Sequence, residues 1–229
     1  MKVSEYLIIL IFVCVFIGSL SLGIWQIDRG YDKKALENSF SQKQAMPVET
    51  NPGKLNENLY YRNIQISGNF GKKTFFVDNK ILNGKAGYVV FLPFTLASGE
   101  KIIVSRGWVE SFQRDSLPEV SLPQKVLKLD GMIRPFSKDF VLEEQAKQIA
   151  NNFIIQGLDK ELMENLMEVK LLPYVFELSA LSQFSLEPIW QPTSLKSTRH
   201  FGYAIQWFAL ALVVLFGGFY LFKKRNVNE

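Results

Sequence analysis

The sequence predicts a membrane protein in which two transmembrane helices, one at each end, flank a mainly antiparallel β domain (α+β) with one short helix. Three observations carry that reading. Tyr6 to Ile27 and Phe201 to Phe222 each run without a charged residue. Between them, apolar residues recur with a period near two, broken by turn residues. The chain of 229 residues is 48% hydrophobic and 21% charged, which leaves it too polar for a multi-span transporter.

Each uncharged run makes a helix of roughly 33 Å, enough to cross a hydrocarbon core of about 30 Å. The first has a rival reading as a signal peptide, because Lys2, an apolar region and Ser19-Leu20-Ser21 resemble one. Against cleavage, the apolar region is long and continues past that point through Trp25 to Ile27. Cys14 lies mid-span, so it makes no lipobox. With five residues ahead of the first span, no mitochondrial presequence is expected, and the expected location is a bacterial plasma (inner) membrane, multi-pass.

Orientation follows from the ends. Lys223-Lys224-Arg225 directly after the second span marks a cytoplasmic side, and Lys2 adds to it. Both termini are then cytoplasmic and the main domain periplasmic. The expected organisation is a first span at 6–27, an extracytoplasmic β-rich domain at 28–199 with a linker-like stretch at 41–58, a second span at 201–222 and a tail at 223–229. The net charge is +4, and Lys223, Lys224, Arg225 and Glu229 account for half of it. The domain mixes acids and bases, which is a solvated surface and no nucleic-acid footprint.

Within the domain, Lys33 to Phe40 extends the first helix into solvent, and Pro47 with Pro52-Gly53 marks the linker. Tyr60 to Asn69 reads as a strand. Thr74 to Asp78 and Gly87 to Phe94 flank Asn83-Gly84, which predicts a hairpin. Ile102 to Val109, Val126 to Ile133, Phe153 to Gln156 and Leu171 to Leu178 are further strands. Asp159 can cap a short helix in which Leu162, Met163, Leu166 and Met167 share a face. A small barrel or a curved sheet would bury the apolar alternates, and the pattern does not separate barrel from sandwich.

The chemistry is read largely by exclusion. One cysteine forms no disulfide within the chain and no Cys-x-x-Cys. Gly68-Asn69-Phe70-Gly71 lacks the strand–loop–helix setting of a phosphate cradle. No Gly-x-Ser-x-Gly exists, and the single histidine, His200, borders the membrane. One histidine and one mid-span cysteine cannot make a usual zinc set. Glu143-Glu144 reads as a solvated stretch, so no catalytic set emerges and no enzyme is expected.

That leaves the mouth of the second span. At 100° per residue His200, Tyr203 and Trp207 share one helix face. Trp25, Gln26 and Arg29 close the first span at the depth of Gln206, Tyr203 and Arg199. The bland reading makes the aromatics an interfacial belt and the arginines snorkelling anchors. The glutamines resist it, because an amide within a span seeks a partner and often faces another helix. The sharper reading takes them together. A neutral imidazole, an apolar wall and nearby guanidinium groups suit a porphyrin, with His200 as axial iron ligand, the aromatics beside the ring, and Arg29 or Arg199 on its propionates.

The segments "LGIWQIDRGYDKKAL", "YYRNIQISGNF", "GYVVFLPF…GEKIIVSRGWV" and "RHFGYAIQWFALAL" resemble the surfeit locus protein one family, whose yeast counterparts are called Shy-type proteins. The resemblance runs in register over nearly the whole chain. It implies a non-enzymatic assembly factor for haem–copper cytochrome c oxidase, which delivers or stabilises haem a for insertion into the catalytic subunit. Haem a synthase is a further candidate partner, and membrane lipid the surroundings. His200 matches the family's haem-associated histidine, and Trp25, Gln26 and Arg29 match its other membrane-mouth motif. Two positions depart: Tyr31 stands where many relatives have tryptophan, and Ser105 where asparagine often precedes Arg-Gly-Trp-Val. Arg106-Gly107-Trp108-Val109 reads either as a structural strand-end turn or as a functional surface. The rival function is a membrane-anchored scaffold that holds the oxidase subunit and binds no haem. A second axial ligand is left open between a methionine, a water, a partner's side chain and an empty position.

Overall fold

The first apolar run continues as helix well beyond its own length. The computed structural model describes residues 3–50, 52–111, 117–120, 127–136 and 146–226, and in it α1 spans Val3–Gln44. At 42 residues α1 is about 63 Å long, twice a hydrocarbon core, so its charged half from Asp28 onward extends past any span. It also takes in the first residues of the linker-like stretch at 41–58. The Glu143-Glu144 pair lies outside the described residues.

The strands are β1 (Asn63–Phe70), β2 (Thr74–Leu82), β3 (Lys85–Leu96), β4 (Lys101–Glu110), β5 (Leu127–Pro135), β6 (Ala146–Ile149) and β7 (Asn152–Ile155). Helix α2 (Lys160–Met167), β8 (Tyr174–Leu178) and α3 (Ser197–Asn226) follow. By its internal contacts the chain divides into a helical unit, residues 1–41 with 191–229, and a sheet unit, residues 42–190.

In the helical unit α1 and α3 are both long and apolar enough to cross a membrane. Their outward faces carry exposed Ile8, Leu10, Ile205, Val213, Phe216 and Phe219. A soluble protein seldom exposes so large an apolar surface, whereas lipid satisfies it.

In the sheet unit the strand order is β1-β5-β8-β4-β3-β2-β7-β6, and β1 also pairs with β3 through Gly68↔Leu96, Asn69↔Thr95 and Phe70↔Phe94. That extra pairing closes β1, β5, β8, β4 and β3 into a ring, so the architecture is barrel-like and not a sandwich. Strands β2, β7 and β6 extend the sheet beyond the ring. Six of the eight pairings among the described strands are antiparallel; β2–β7 and β4–β8 are parallel.

Strand alternation fills the ring. Ile64, Ile66, Ile102, Val104, Leu129, Ile133 and Phe176 form one buried cluster. Their neighbours Ile103 and Val175 face the other way, against Phe75, Phe91, Phe153 and Met163 of α2. Burial on both faces is why β4 reads as a continuous β-branched run. The hairpin turn is Asn83-Gly84, with φ of 51° and 77° and Leu82 opposite Lys85. Two successive positive φ values make a type I′ turn, whose twist matches the flanking strands. Asp159 caps α2 by accepting the Leu162 N–H at 3.0 Å.

Arg106-Gly107-Trp108 lies inside β4 and not at a strand end. Arg106 is the extra residue of a bulge, since Val90 pairs with Gly107 and Phe91 with Ser105. Its buried side chain donates from Nε to the Phe184 carbonyl at 2.6 Å. Gly107 has a φ of 109°, and a Cβ there would stand 2.6 Å from the Glu187 carbonyl oxygen. The returning segment bonds β4 at this point, Leu186 N–H to Arg106 O and Trp108 N–H to Glu187 O, both 2.7 Å. The geometry is that of a packed structural junction.

Candidate functional site

The helical unit is assembled on a seam of small residues. Ser19, Gly23 and Gly30 on α1 are buried, as are Ser197, Ala204 and Ala211 on α3. Gly23 and Gly30 are seven residues apart, as are Phe201 and Phe208, the spacing of two helical turns. Each glycine receives one ring. A Cβ on Gly23 would lie 2.7 Å from the Phe208 ring, and one on Gly30 would lie 2.6 Å from the Phe201 ring. Small residues thus let antiparallel helices approach closely, where van der Waals packing is the main attraction available in lipid.

This register sets the polar contacts. Gln26 lies between Gly23 and Gly30, and His200 precedes Phe201, so the two half-buried side chains meet. His200 Nδ1 stands 2.8 Å from Gln26 Oε1. A carboxamide oxygen only accepts, so the ring donates from Nδ1, and in the neutral imidazole the lone pair then lies on Nε2. The contact therefore selects the tautomer whose Nε2 can bind a metal, the task a hydrogen-bonding partner performs at histidine ligands generally.

One turn before His200 on α3, Ser197 meets Glu37 of α1. Its carboxylate accepts the Ser197 backbone N–H at 2.9 Å and the Ser197 hydroxyl at 2.7 Å. The N-terminal N–H groups of a helix lack internal partners, and an anion there is favoured. The segment carrying His200 is thereby capped by the other helix. Tyr31 packs edge-on against Phe201, with ring centroids 5.4 Å apart.

The remaining expected residues are distributed differently. Trp25 and Arg29, one turn apart on α1, engage each other, the guanidinium 6.0 Å from the indole centroid, and Arg29 also lies 3.7 Å from Asp32. Trp207 is half-buried; Tyr203 and Arg199 are exposed. Gln206 is exposed on the side of α3 away from the Phe201–Ala204–Phe208 seam, so only Gln26 of the two glutamines faces another helix. The structure thus joins His200 to Gln26 and Trp25 to Arg29. Glu37 and the Gly–Phe seam were not among the expected site residues, although the seven-residue spacing of Gly23 and Gly30 is visible in the sequence.

Chemically the site offers one nitrogen ligand. Among the described residues no group of three His, Cys, Asp or Glu could hold a metal ion. A lone imidazole is a poor cage for a free ion, but it suffices for a metal already held by a macrocycle.

A family model described as the SURF1 family matches residues 12–212. A SURF1-like protein of Rickettsia prowazekii is 29% identical over 209 residues, covering 87% of this chain and 83% of that protein. One from Rickettsia felis is 25% identical over 226 residues, covering 95% and 97%. The cytochrome oxidase assembly protein SHY1 of Saccharomyces cerevisiae is 33% identical over 132 residues, covering 52% of this chain and 34% of that protein. The family match takes in most of the first helix, the whole sheet unit and the segment that carries His200, and on that extent this chain belongs to the SURF1 family.

Proposed function

We propose that this protein is a membrane-anchored assembly factor for haem–copper cytochrome c oxidase and that it holds haem a at His200 before insertion into the catalytic subunit. Family membership and the role that the yeast relative's name gives it, cytochrome oxidase assembly, support the assembly role. The observation that carries the haem reading is the His200–Gln26 contact, which leaves Nε2 as a metal-binding nitrogen in a region with no competing ligand set among the described residues.

Haem a, when bound, supplies the iron and the redox-active ring destined for the oxidase. Everything else falls to the chain. His200 Nε2 would hold the iron through its lone pair, and Gln26 would fix the imidazole plane and its proton. Trp207 and Tyr203 on the His200 face offer aromatic surface, and Trp25 does so from α1. Arg199 would offer a guanidinium to a propionate, and Arg29 could do so in place of its contact with Asp32. Gln206, on the far face of α3, is a lipid- or partner-facing residue in this reading. The positive end at Lys223 and Lys224 supports cytoplasmic termini, with the β domain in the periplasm of a bacterial plasma membrane. Haem a synthase is the donor-side partner in this scheme. The role is non-enzymatic.

One observation favours the scaffold alternative. Trp25 and Arg29 engage each other rather than His200, as an interfacial anchor would. A strain lacking this protein, complemented with wild type or His200→Ala, separates the two. The haem reading expects His200→Ala to lower oxidase activity and membrane haem a while protein level is maintained. Full assembly by His200→Ala would leave the scaffold.

A further inference from the structure

At the other end of the helical unit the seam gives way to an open apolar groove. It has a volume of about 580 Å³ and is lined by Ile8, Phe12 and Phe16 of α1 with Leu215, Gly218 and Phe222 of α3, among others. Gly218 contributes no side chain, and a Cβ placed on it would reach the Phe12 ring at 3.0 Å. From Val214, the deepest α3 residue of the groove, to Lys223 is about 14 Å along the helix. The groove wall ends at Phe222, and the next two residues are the exposed Lys223 and Lys224.

We propose that this groove binds one anionic diacyl phospholipid, an acyl chain between the helices and the headgroup phosphate on Lys223 and Lys224. The walls match a hydrocarbon chain, and the charge at the rim selects the headgroup. Basic residues where a cleft between membrane helices meets the surface suit anionic lipid heads, and each is worth a severalfold gain in partitioning. The groove lies at the end of the pair away from His200, so the lipid site is independent of the haem reading. It would fix the spacing of the helix ends as the Gly–Phe seam fixes their middle.

The test is electron paramagnetic resonance on the full chain in phosphatidylcholine vesicles, with trace spin-labelled phosphatidylglycerol or spin-labelled phosphatidylcholine. Wild type should restrict phosphatidylglycerol with about fivefold or greater preference. Lys223→Gln with Lys224→Gln should erase the preference and leave the phosphatidylcholine signal unchanged. Gly218→Leu, which places a side chain in the groove, should reduce the restricted fraction of both lipids. Equal restriction of the two lipids by wild type would overturn the proposal, as would a preference that survives the double lysine variant or a restricted fraction unchanged in Gly218→Leu. A second copy of the chain seated in the groove would exclude both lipids alike and equally overturn it.

Discussion

His200 donates from Nδ1 to Gln26 Oε1 across 2.8 Å, and this contact joins the two helices at the one histidine of the chain. Its consequence is chemical as well as structural, because it decides which ring nitrogen carries the proton. Gln26→Leu keeps the volume and removes the acceptor. We expect haem affinity of the purified chain to fall about 10- to 100-fold, the usual cost of losing the partner behind a histidine ligand. Gln26→Glu, which still accepts, should retain more of it. Haem titration followed in the Soret band reads both variants.

The seam makes a steric prediction. Gly23→Leu and Gly30→Leu must displace the Phe208 and Phe201 rings, which stand where the new Cβ would go. Gly18 has nothing within 4 Å of its Cβ position, so Gly18→Ala is the matched control. Cysteines placed at Gln26 and His200 in each background should cross-link efficiently in the control and poorly in the two seam variants. Equal cross-linking in all three would refute the packing.

Glu164 sets a pH dependence in the sheet unit. Its carboxylate accepts the Leu171 N–H at 2.7 Å and pairs with Lys160 at 2.7 Å and Lys170 at 3.2 Å. These contacts, the Leu171 N–H first, hold its pKa down at about 2. A carboxyl depressed on folding stabilises the native state above its unfolded pKa, near 4.3, and that contribution is lost as pH falls towards 2. Glu164→Gln should therefore lower the melting temperature at pH 7 and flatten its decline between pH 4.5 and 2. An unchanged acid profile by tryptophan fluorescence would sink this account.

Arg134 and Glu177 form a buried pair between β5 and β8. Nε and Nη2 of Arg134 each lie 2.7 Å from Glu177 Oε1, with the side chains 5% and 11% exposed. The guanidinium also sits 5.3 Å from the Trp190 ring centroid, and Trp190 stacks on Tyr61. Arg134→Met leaves a buried carboxylate alone, at a cost of about 3–5 kcal/mol. Adding Glu177→Leu should recover part of that loss. Denaturant melts of the single and double variants measure the difference.

Elements whose causes are local were legible in the sequence. Asn83-Gly84 specifies its turn by two positive φ values, Asp159 its cap by one side-chain acceptor, and the spans their lipid by absence of charge. What escaped depends on distant partners. Ala146–Ile149 is exposed along its whole length, so it carries no alternation that marks a strand. The parallel pairings of β2 with β7 and β4 with β8 join segments far apart in sequence, and the ring closes through three residues at the ends of β1 and β3. At the site, both glutamines promised a helix-facing amide. Only the phase of the Gly–Phe seam separates Gln26, which faces His200, from Gln206, which faces outward.

The absorption spectrum of the full chain purified from a host that makes haem a, wild type beside His200→Ala, tests the assignment of His200 most directly. Wild type should carry a haem a band, and His200→Ala, recovered in similar amount with its helices still paired, should lose or shift it. A wild-type chain without haem, or a spectrum unchanged in His200→Ala, would contradict the assignment of His200 as the ligand.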